Sequence, residues 1–391
     1  MKKSLIILAL CLTIGTAASA YDIVSVCPTG QRLGYNITST NPPEVTLVEC
    51  LDFEGGVTIP ETLSFNFTDY TVVAIGEWAF NGACWSQNFS GPLVIPNTVR
   101  SIGARAFWDC WFTGPLVIPN SVTEIGEWAF FGCKKFTSLT LSESLSEIKE
   151  NTFDGCENFR GDLVIPESVE YIGNQGFNGC GFDGTLFLSP KMAIVEGGCI
   201  WECYNFSAIK IPEGVMNIGF SAFEFLFRPT ELELPSTLTD IEDYAFCNLV
   251  KLKQMTVHST IPPYIWGDTF ERVNHGIPVY IPIGTKEIYE NAEYWSEFTN
   301  FIEVDFESVD EHDGFATAEA YPNPGLNTLN IITTAPNAQV EIYDMTGRLI
   351  HCQTAFEGTA TIDAALWPSG VYAWRVVSEK KEETTGKWIK K

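Results

Sequence analysis

Histidine and basic residues are scarce in this chain of 391 residues, which contains 4 His and 23 Lys+Arg against 49 Asp+Glu. The formal net charge of −26 would repel a phosphate backbone, so the composition argues against nucleic acid as a partner. The same charge disfavours binding to an anionic membrane surface. The few histidines leave little for histidine-based catalysis or metal binding. We expect no catalytic residue, no metal centre and no cofactor.

Long hydrophobic runs are also absent, apart from one near the start. Lys2 and Lys3 precede an apolar stretch at residues 5–14, which is too short to anchor a protein in a bilayer. Small residues at 18–20 fit a cleavage site, so the pattern predicts a secretory signal peptide over residues 1–20. No later stretch reaches the length of a membrane span, and we therefore expect no transmembrane segment in the mature chain.

A six-residue pattern, Ile-Gly-x-x-Ala-Phe, recurs along most of the chain. Its starts are 23 or 24 residues apart after a first interval of 27. The strict copies begin at Ile75, Ile102 and Ile125, and looser copies begin at Ile148, Ile172, Val195, Ile218, Ile241 and Ile265. Such a fixed period is typical of repeat proteins, in which each unit buries its apolar face only against its neighbours.

A second motif keeps the same period and predicts one short strand in each repeat. The segments Leu-Val-Ile at residues 93–95 and 116–118 have apolar first and third positions, and a proline follows each. This alternation indicates a strand with one buried face, and the proline ends the strand. Together the motifs predict a repeat solenoid of short β-strands and short helical or 3-10 turns, with a period of 23 residues.

Stacked repeats place each side chain over its copy in the next repeat, so the pattern predicts continuous columns in the core. The phenylalanine of the first motif forms one such column, and we expect successive rings to touch. Its members are Phe80, Phe107, Phe130, Phe153, Phe177, Phe223 and Phe246. Burial of each ring contributes about 2 kcal/mol relative to exposure, so the column should account for much of the stability.

Cysteines also recur at the period of the repeat. Of the 12 Cys, five lie three residues after the phenylalanine position: Cys110, Cys133, Cys156, Cys180 and Cys203. A metal ladder or serial disulfides are the functional alternatives, but the spacing does not match metal-binding motifs, and we interpret these residues as buried, unpaired thiols. Cys27 and Cys50 lie outside the repeat and are the candidates for a disulfide.

The two variable positions of the first motif should face the solvent, and in the early repeats they hold unusual residues. The second variable position is Trp78, Arg105 and Trp128 in three successive copies, and Trp85, Trp108 and Trp111 lie nearby. Exposed Trp and Arg dominate binding hot spots, and an Arg between two Trp can form a cation–π stack. These six residues are therefore candidate ligand-binding residues. The alternative is that they pack against a neighbouring repeat and stabilise the solenoid.

The pattern changes at both ends of the array. Alternating apolar and polar residues at 21–54 predict an N-terminal β cap, and a helical apolar face at 275–305 predicts a C-terminal cap. Residues 306–316 are rich in Asp and Glu, which predicts a solvated acidic linker. After it, short strand-like segments separated by turn signals, such as Pro-Ser-Gly at 368–370, predict a small all-β sandwich over 317–391.

The repeat resembles the BspA-like leucine-rich repeat family. The resemblance rests on Ile-Gly-x-x-Ala-Phe-x-Gly-Cys together with Ile-Pro-x-Ser-Val, as at residues 118–122 and 165–169. It implies a leucine-rich repeat solenoid over 55–274 on a secreted or surface protein, and members of the family are associated with adhesion to host proteins or other cells. At 195–200 two glycines and a cysteine replace the usual residues, a departure that we expect to change the local curvature.

Four motifs near the end are similar to the C-terminal sorting domain of type IX secretion, which would then cover 317–391. They contain Tyr321, Pro322, Asn323 and Pro324, then Gly347, then Gly370 and Tyr372, and a basic end at 386–391. The resemblance implies handling by the type IX secretion machinery and a secreted or outer-membrane-associated location on the surface of a Gram-negative bacterium. In the family the tail is usually removed, and the cargo is released or attached to lipopolysaccharide. The alternative is a permanent β-sandwich adhesion module.

The sequence therefore predicts an exported adhesin that binds host or microbial surface proteins through its solenoid. Two alternatives remain: a glycan-binding surface module, in which stacked Trp hold sugar rings, and a structural surface scaffold. Neither GxSxG nor HExxH occurs, and no histidine belongs to the stacked motif. We therefore predict that the protein is not an enzyme.

Overall fold

The computed structural model describes residues 21–52, 54–80, 90–306, 318–321, 328–335, 337–344, 348–355, 358–368, 370–378 and 383–390. These residues form two compact units, and the division falls between Val304 and Asp305. In the described part of the chain, no helix is both long and apolar enough to cross a membrane. The predicted fold class, a solenoid of short strands followed by a small all-β unit, is confirmed.

One face of the solenoid consists of short parallel strands that stack from coil to coil. Leu163 pairs with Leu186, and Leu186 pairs with Ile209, so equivalent positions lie side by side. In Leu93–Val94 the first residue is buried and the second is exposed, as a half-buried strand requires. The strands of this row are Val57–Thr58, Leu93–Val94, Gly114–Val117, Phe136–Thr140, Leu163–Val164, Thr185–Phe187, Ala208–Lys210, Glu231–Leu234, Gln254–Val257, Val279–Pro282 and Phe301–Val304.

The solenoid has a second row of parallel strands, and each of these strands ends at the first residue of its copy of the repeat motif, usually isoleucine. The glycine after it is required by the preceding coil, because a Cβ on Gly126 would collide with the backbone of Ala104. The chain then turns tightly, as the N–H of Ala106 donates to the carbonyl oxygen of Gly103 at 3.3 Å. The strands of this row are Thr68–Ile75, Ser101–Ile102, Glu124–Ile125, Glu147–Ile148, Tyr171–Ile172, Ile194–Val195, Asn217–Ile218, Asp240–Ile241 and Tyr264–Ile265.

The predicted phenylalanine column is confirmed. The ring centroids of Phe107 and Phe130 are 5.0 Å apart, those of Phe130 and Phe153 are 5.5 Å apart, and the planes are tilted by 11° and 7°. All three rings are fully buried. The column is interrupted where Ile200 occupies the phenylalanine position, and it resumes at Phe223. Stacked rings thus form much of the solenoid core.

The cysteine column lies beside these rings, and its thiols are buried. The thiol of Cys133 donates to the carbonyl oxygen of Phe107 at 3.0 Å, and that of Cys203 donates to the carbonyl oxygen of Phe177 at 3.0 Å. Burial raises the pKa of the Cys203 thiol to about 12. The interpretation of these residues as unpaired thiols stays a prediction.

Antiparallel strands cover the first end of the solenoid: Ile23–Val26, Arg32–Thr40, Pro43–Cys50 and the short Thr62–Phe65. Pro43–Cys50 then pairs in parallel with Thr68–Ile75, so this cap continues the second strand row. The candidate disulfide residues Cys27 and Cys50 are both buried free thiols here. The thiol of Cys27 donates to Gln31 Oε1 at 3.2 Å, and that of Cys50 donates to the carbonyl oxygen of Asp52 at 3.1 Å. The disulfide stays a prediction.

A helix, Lys286–Asn291, and a 3-10 turn, Trp295–Glu297, cover the other end. Tyr289 and Trp295 are buried and hydrogen-bonded to the preceding coil. The Tyr289 hydroxyl donates to the carbonyl oxygen of Ser259 at 2.8 Å, and the Trp295 indole donates to that of Pro263 at 2.8 Å. The aromatics of this segment therefore form core.

The second unit has two antiparallel sheets that enclose their own core. Leu329 and Ile331 from one sheet and Val340 and Ile342 from the other are fully buried. The strands of the two sheets are Ala318–Tyr321, Thr328–Thr333 and Thr359–Asp363, and Gln339–Tyr343, Leu349–Thr354, Gly370–Val377 and Glu383–Lys390. This arrangement confirms the predicted β-sandwich.

Candidate functional site

The second variable position of the repeat motif has a left-handed backbone in successive coils. Trp78, Arg105 and Trp128 have φ angles of 57°, 53° and 62°. Hydrogen bonds between coils hold this conformation, since the N–H of Arg105 donates to the carbonyl oxygen of Glu127 at 3.0 Å. Left-handed φ suits Gly and Asn and is unusual for bulky side chains. Backbone preference therefore does not account for two tryptophans at this position.

Trp78, Arg105, Trp108 and Trp128 contact one another and are here called the Trp/Arg cluster. The ring centroids of Trp78 and Trp108 are 5.0 Å apart, and those of Trp108 and Trp128 are 6.1 Å apart. The guanidinium carbon of Arg105 lies 5.4 Å from the Trp78 centroid and 5.8 Å from those of Trp108 and Trp128. These distances are within the range of cation–π attraction. One cation thus joins three indole rings.

The edges of the Trp/Arg cluster are fixed by neighbouring side chains. The Phe131 ring centroid lies 5.6 Å from that of Trp108 and 5.0 Å from that of Trp128. The Asp109 carboxylate is hydrogen-bonded to the Trp108 side chain, although burial is the largest influence and raises the pKa of this carboxyl. All four members of the cluster are half-buried, so part of each side chain remains open to a ligand.

The remaining predicted ligand-binding residues do not join these contacts. Trp111 packs on the core, and Lys135 Nζ lies 5.0 Å from its ring centroid. Trp85 lies outside the described residues. The structure therefore brings together four of the six candidates.

Part of the predicted sorting motif is described. Tyr321 is exposed at the end of its strand, and Gly370 begins the strand that contains the buried Tyr372. The Tyr372 hydroxyl donates to the carbonyl oxygen of Pro368 at 2.6 Å. Pro322, Asn323, Pro324 and Gly347 lie outside the described residues.

A cleft of about 480 Å³ lies along the same row of variable positions, four coils beyond Arg105. Gly197 and Gly198 line it, and these are the residues at which the sequence departs from the repeat. The two glycines are visible in the sequence, but glycines in a repeat motif indicate a change of backbone conformation as readily as a cleft left by missing side chains. Among the described residues, no group of His, Cys, Asp and Glu is arranged to hold a metal ion.

Comparison with known proteins assigns the repeat. A family model described as the BspA type Leucine rich repeat region, in 6 copies, matches residues 73–203, 161–271 and 193–310. The chain belongs to this family. A second model, described as the Secretion system C-terminal sorting domain, matches residues 319–391. This leucine-rich repeat protein is therefore directed by type IX secretion to the cell surface or to an outer-membrane-associated location of a Gram-negative bacterium.

Solved structures of bacterial leucine-rich repeat proteins are similar to this chain, whereas no curated protein matches it. One is the leucine-rich repeat protein of T. pallidum, with 22% identity and a TM-score of 0.41 over 50% of this chain and 87% of that one. A protein from Bacteroides ovatus has 19% identity and a TM-score of 0.26 over 70% and 98%. The pneumococcal vaccine antigen PcpA has 14% identity and a TM-score of 0.32 over 73% and 99%. The family assignment rests on the matched repeats.

Proposed function

We propose that this leucine-rich repeat protein is a non-enzymatic adhesin, which binds surface proteins of a host or of other microbes through the Trp/Arg cluster. The observation that carries the proposal is the half-buried stack of three indoles on Arg105, assembled from successive coils. Trp and Arg are the residues that most often dominate protein interfaces. Two of these tryptophans also occupy left-handed positions, where stability alone would favour Gly or Asn.

The charge around the Trp/Arg cluster favours a basic partner. Glu77 and Glu127 precede Trp78 and Trp128 in their coils, and both are exposed. The chain as a whole has a net charge of −26. Complementary charge increases association rates and is screened by salt. We therefore propose a partner with apolar or aromatic groups at its centre and Lys or Arg around them.

The second unit has a separate role in this proposal. The sorting domain would engage the type IX machinery, and its removal would leave the solenoid released or attached to lipopolysaccharide. Adhesion would then need only the solenoid, because the Trp/Arg cluster lies wholly in the first unit.

Replacement of Trp78 and Trp128 by Asn tests the adhesin proposal. Asn tolerates left-handed φ, and Asn151 already occupies the equivalent position of the next coil with φ of 54°. We expect the double variant to fold normally and to bind at least about 30-fold more weakly, because the loss of even one hot-spot side chain costs about 2 kcal/mol or more. Binding of the mature chain to a panel of purified basic matrix proteins, measured by surface plasmon resonance, gives the result.

Tyr171→Ala is the matched control, because Tyr171 is an exposed aromatic on the second strand row and outside the Trp/Arg cluster. It should leave affinity unchanged. The proposal is wrong if W78N/W128N binds every partner of the wild type equally well. A large fall in melting temperature with unchanged affinity would assign the cluster a purely structural role.

A further inference from the structure

The coil at residues 195–200 lacks side chains at both variable positions of the motif. Gly198 has φ of 63°, close to the 55° of Gln175 and Ser221 at the equivalent positions of the adjacent coils. A Cβ on Gly198 would approach no atom closer than Asn174 Nδ2, at 3.6 Å. Packing therefore permits a side chain here, and adjacent coils carry one in the same backbone conformation. Its absence opens the cleft.

Aromatic rings line much of this cleft. Trp201, Phe220 and Tyr244 come from three consecutive coils. The ring centroids of Phe220 and Tyr244 are 5.7 Å apart and their planes meet at 77°, which forms a corner. The Tyr244 hydroxyl donates to Asp268 Oδ2 at 3.0 Å, so this ring is held in place. Phe220 is 54% exposed, although a large apolar side chain is normally buried.

The charge of the cleft is negative. Among the described residues that line it, Glu224 is the single carboxylate, and none is Lys, Arg or His. Aromatic faces attract cations through their electron-rich surface, and a nearby carboxylate adds to this attraction. The chain's net charge of −26 would repel an anion from the same place.

We propose that this cleft binds an organic ammonium group, either a lysine side chain of another protein or a small quaternary amine. Phe220, Tyr244 and Trp201 would surround the cation, and Glu224 would supply the opposite charge. The site is distinct from the Trp/Arg cluster, and it would exist whether or not that cluster binds proteins.

A neutral sugar fits the cleft less well. Sugar recognition needs several free donors and acceptors around the ring, in addition to an aromatic face. The amide of Asn174 is already engaged, because its Nδ2 donates to the carbonyl oxygen of Gly197 at 2.8 Å. The indole N–H of Trp201 is buried without an acceptor among the described residues. An ammonium group cannot accept a hydrogen bond from this N–H, whereas a buried water can. The aromatic corner and Glu224 therefore decide the class of ligand.

Ligand-observed NMR titrations of the mature chain test this proposal. The probes are tetramethylammonium, Nα-acetyl-lysine methylamide, tert-butanol as a neutral compound of similar shape, and methyl glucoside, all at matched ionic strength. We expect at least one cation to bind about tenfold more tightly than tert-butanol or the sugar. Binding of the lysine derivative identifies a protein source, and binding of tetramethylammonium alone identifies a small amine.

Three variants locate the binding. Gly198→Asn fills the cleft with a residue that the same backbone accepts at Asn151, Phe220→Ala removes an exposed wall, and Glu224→Gln removes the charge at constant shape. Each should weaken the bound cation about tenfold, whereas Phe187→Ala, an exposed aromatic on the first strand row, should not. Equal binding of tert-butanol, or cation binding that Gly198→Asn and Phe220→Ala leave unchanged, would overturn the proposal. W78N/W128N should keep this site, which separates it from the adhesin function.

Discussion

Asp154 illustrates how stacked coils change the chemistry of a single side chain. Its carboxylate accepts a hydrogen bond from Asn178 Nδ2 at 3.0 Å, which favours the charged form. Burial outweighs this bond and, with a smaller contribution from Glu202, raises the pKa of Asp154 to about 6. The unfolded chain would ionise near pH 4. Folding therefore opposes the ionisation of this group.

Asp154→Asn should stabilise the protein at neutral pH and not in acid. The folded protein binds the Asp154 proton more tightly than the unfolded chain, so wild-type stability falls as the pH rises from about 4 to about 6. Above that range the full cost of the buried charge remains. Asn removes the charge, and its amide can also donate to Asn178 Oδ1, which has no partner among the described residues. Melting temperatures at pH 3.5, 5 and 7 measure the effect.

Glu143→Gln is the control for this profile, because Glu143 is an exposed carboxylate on the same array. It should leave the pH dependence of the melting temperature unchanged. If Asp154→Asn raised the melting temperature as much at pH 3.5 as at pH 7, packing and not the charge would be responsible.

At the scale of one coil, stability comes from contacts with the coils on either side. Phe130 lies between Phe107 and Phe153, with centroid distances of 5.0 and 5.5 Å, and is fully buried. Phe130→Ala should lower the free energy of unfolding by about 3–5 kcal/mol, because it removes both ring contacts and leaves a cavity. Phe130→Leu should cost less, since most of the volume is retained. Urea denaturation measures both.

Phe187→Ala provides the comparison for Phe130→Ala, since Phe187 is 38% exposed on the strand face. Its loss should change the free energy of unfolding far less. If both variants lowered the free energy of unfolding by the same amount, the stacked phenylalanine column would not be the principal support of the array.

The sequence predicted those parts of each coil that the period alone determines. Phe107, Phe130 and Phe153 recur at one spacing, and stacking then requires their rings to meet. The position of Trp111 could not be predicted in this way, because it has no copy in the next repeat and its packing on the core depends on the local turn. The cleft at Gly198 was also missed. The repeat period predicts only the positions that recur, whereas this cleft arises because one coil lacks a side chain that its neighbours carry.

At the scale of the whole molecule, the two units have separate cores. The first core contains the columns of the solenoid, and the second contains residues such as Val340 and Trp388. In the second unit the last strand, Glu383–Lys390, pairs along its length with Gly370–Val377. Lys390 Nζ donates to the carbonyl oxygens of Ala364, Ala365 and Trp367, so the basic end of the strand is held in the sandwich. The sorting unit therefore includes the last strand of the chain.

Deletion of residues 317–391 should block export and leave the solenoid folded, because each unit buries its own core. The truncated protein should accumulate in the periplasm, where its circular dichroism and resistance to protease would match those of the intact solenoid. Cell fractionation with an antibody against the solenoid measures the distribution. Fusion of residues 317–391 to an unrelated periplasmic protein is the reciprocal control, and it should carry that protein to the surface. Normal surface delivery of the truncated chain would mean that the sandwich is a permanent module of the adhesin and that another part of the chain directs its export.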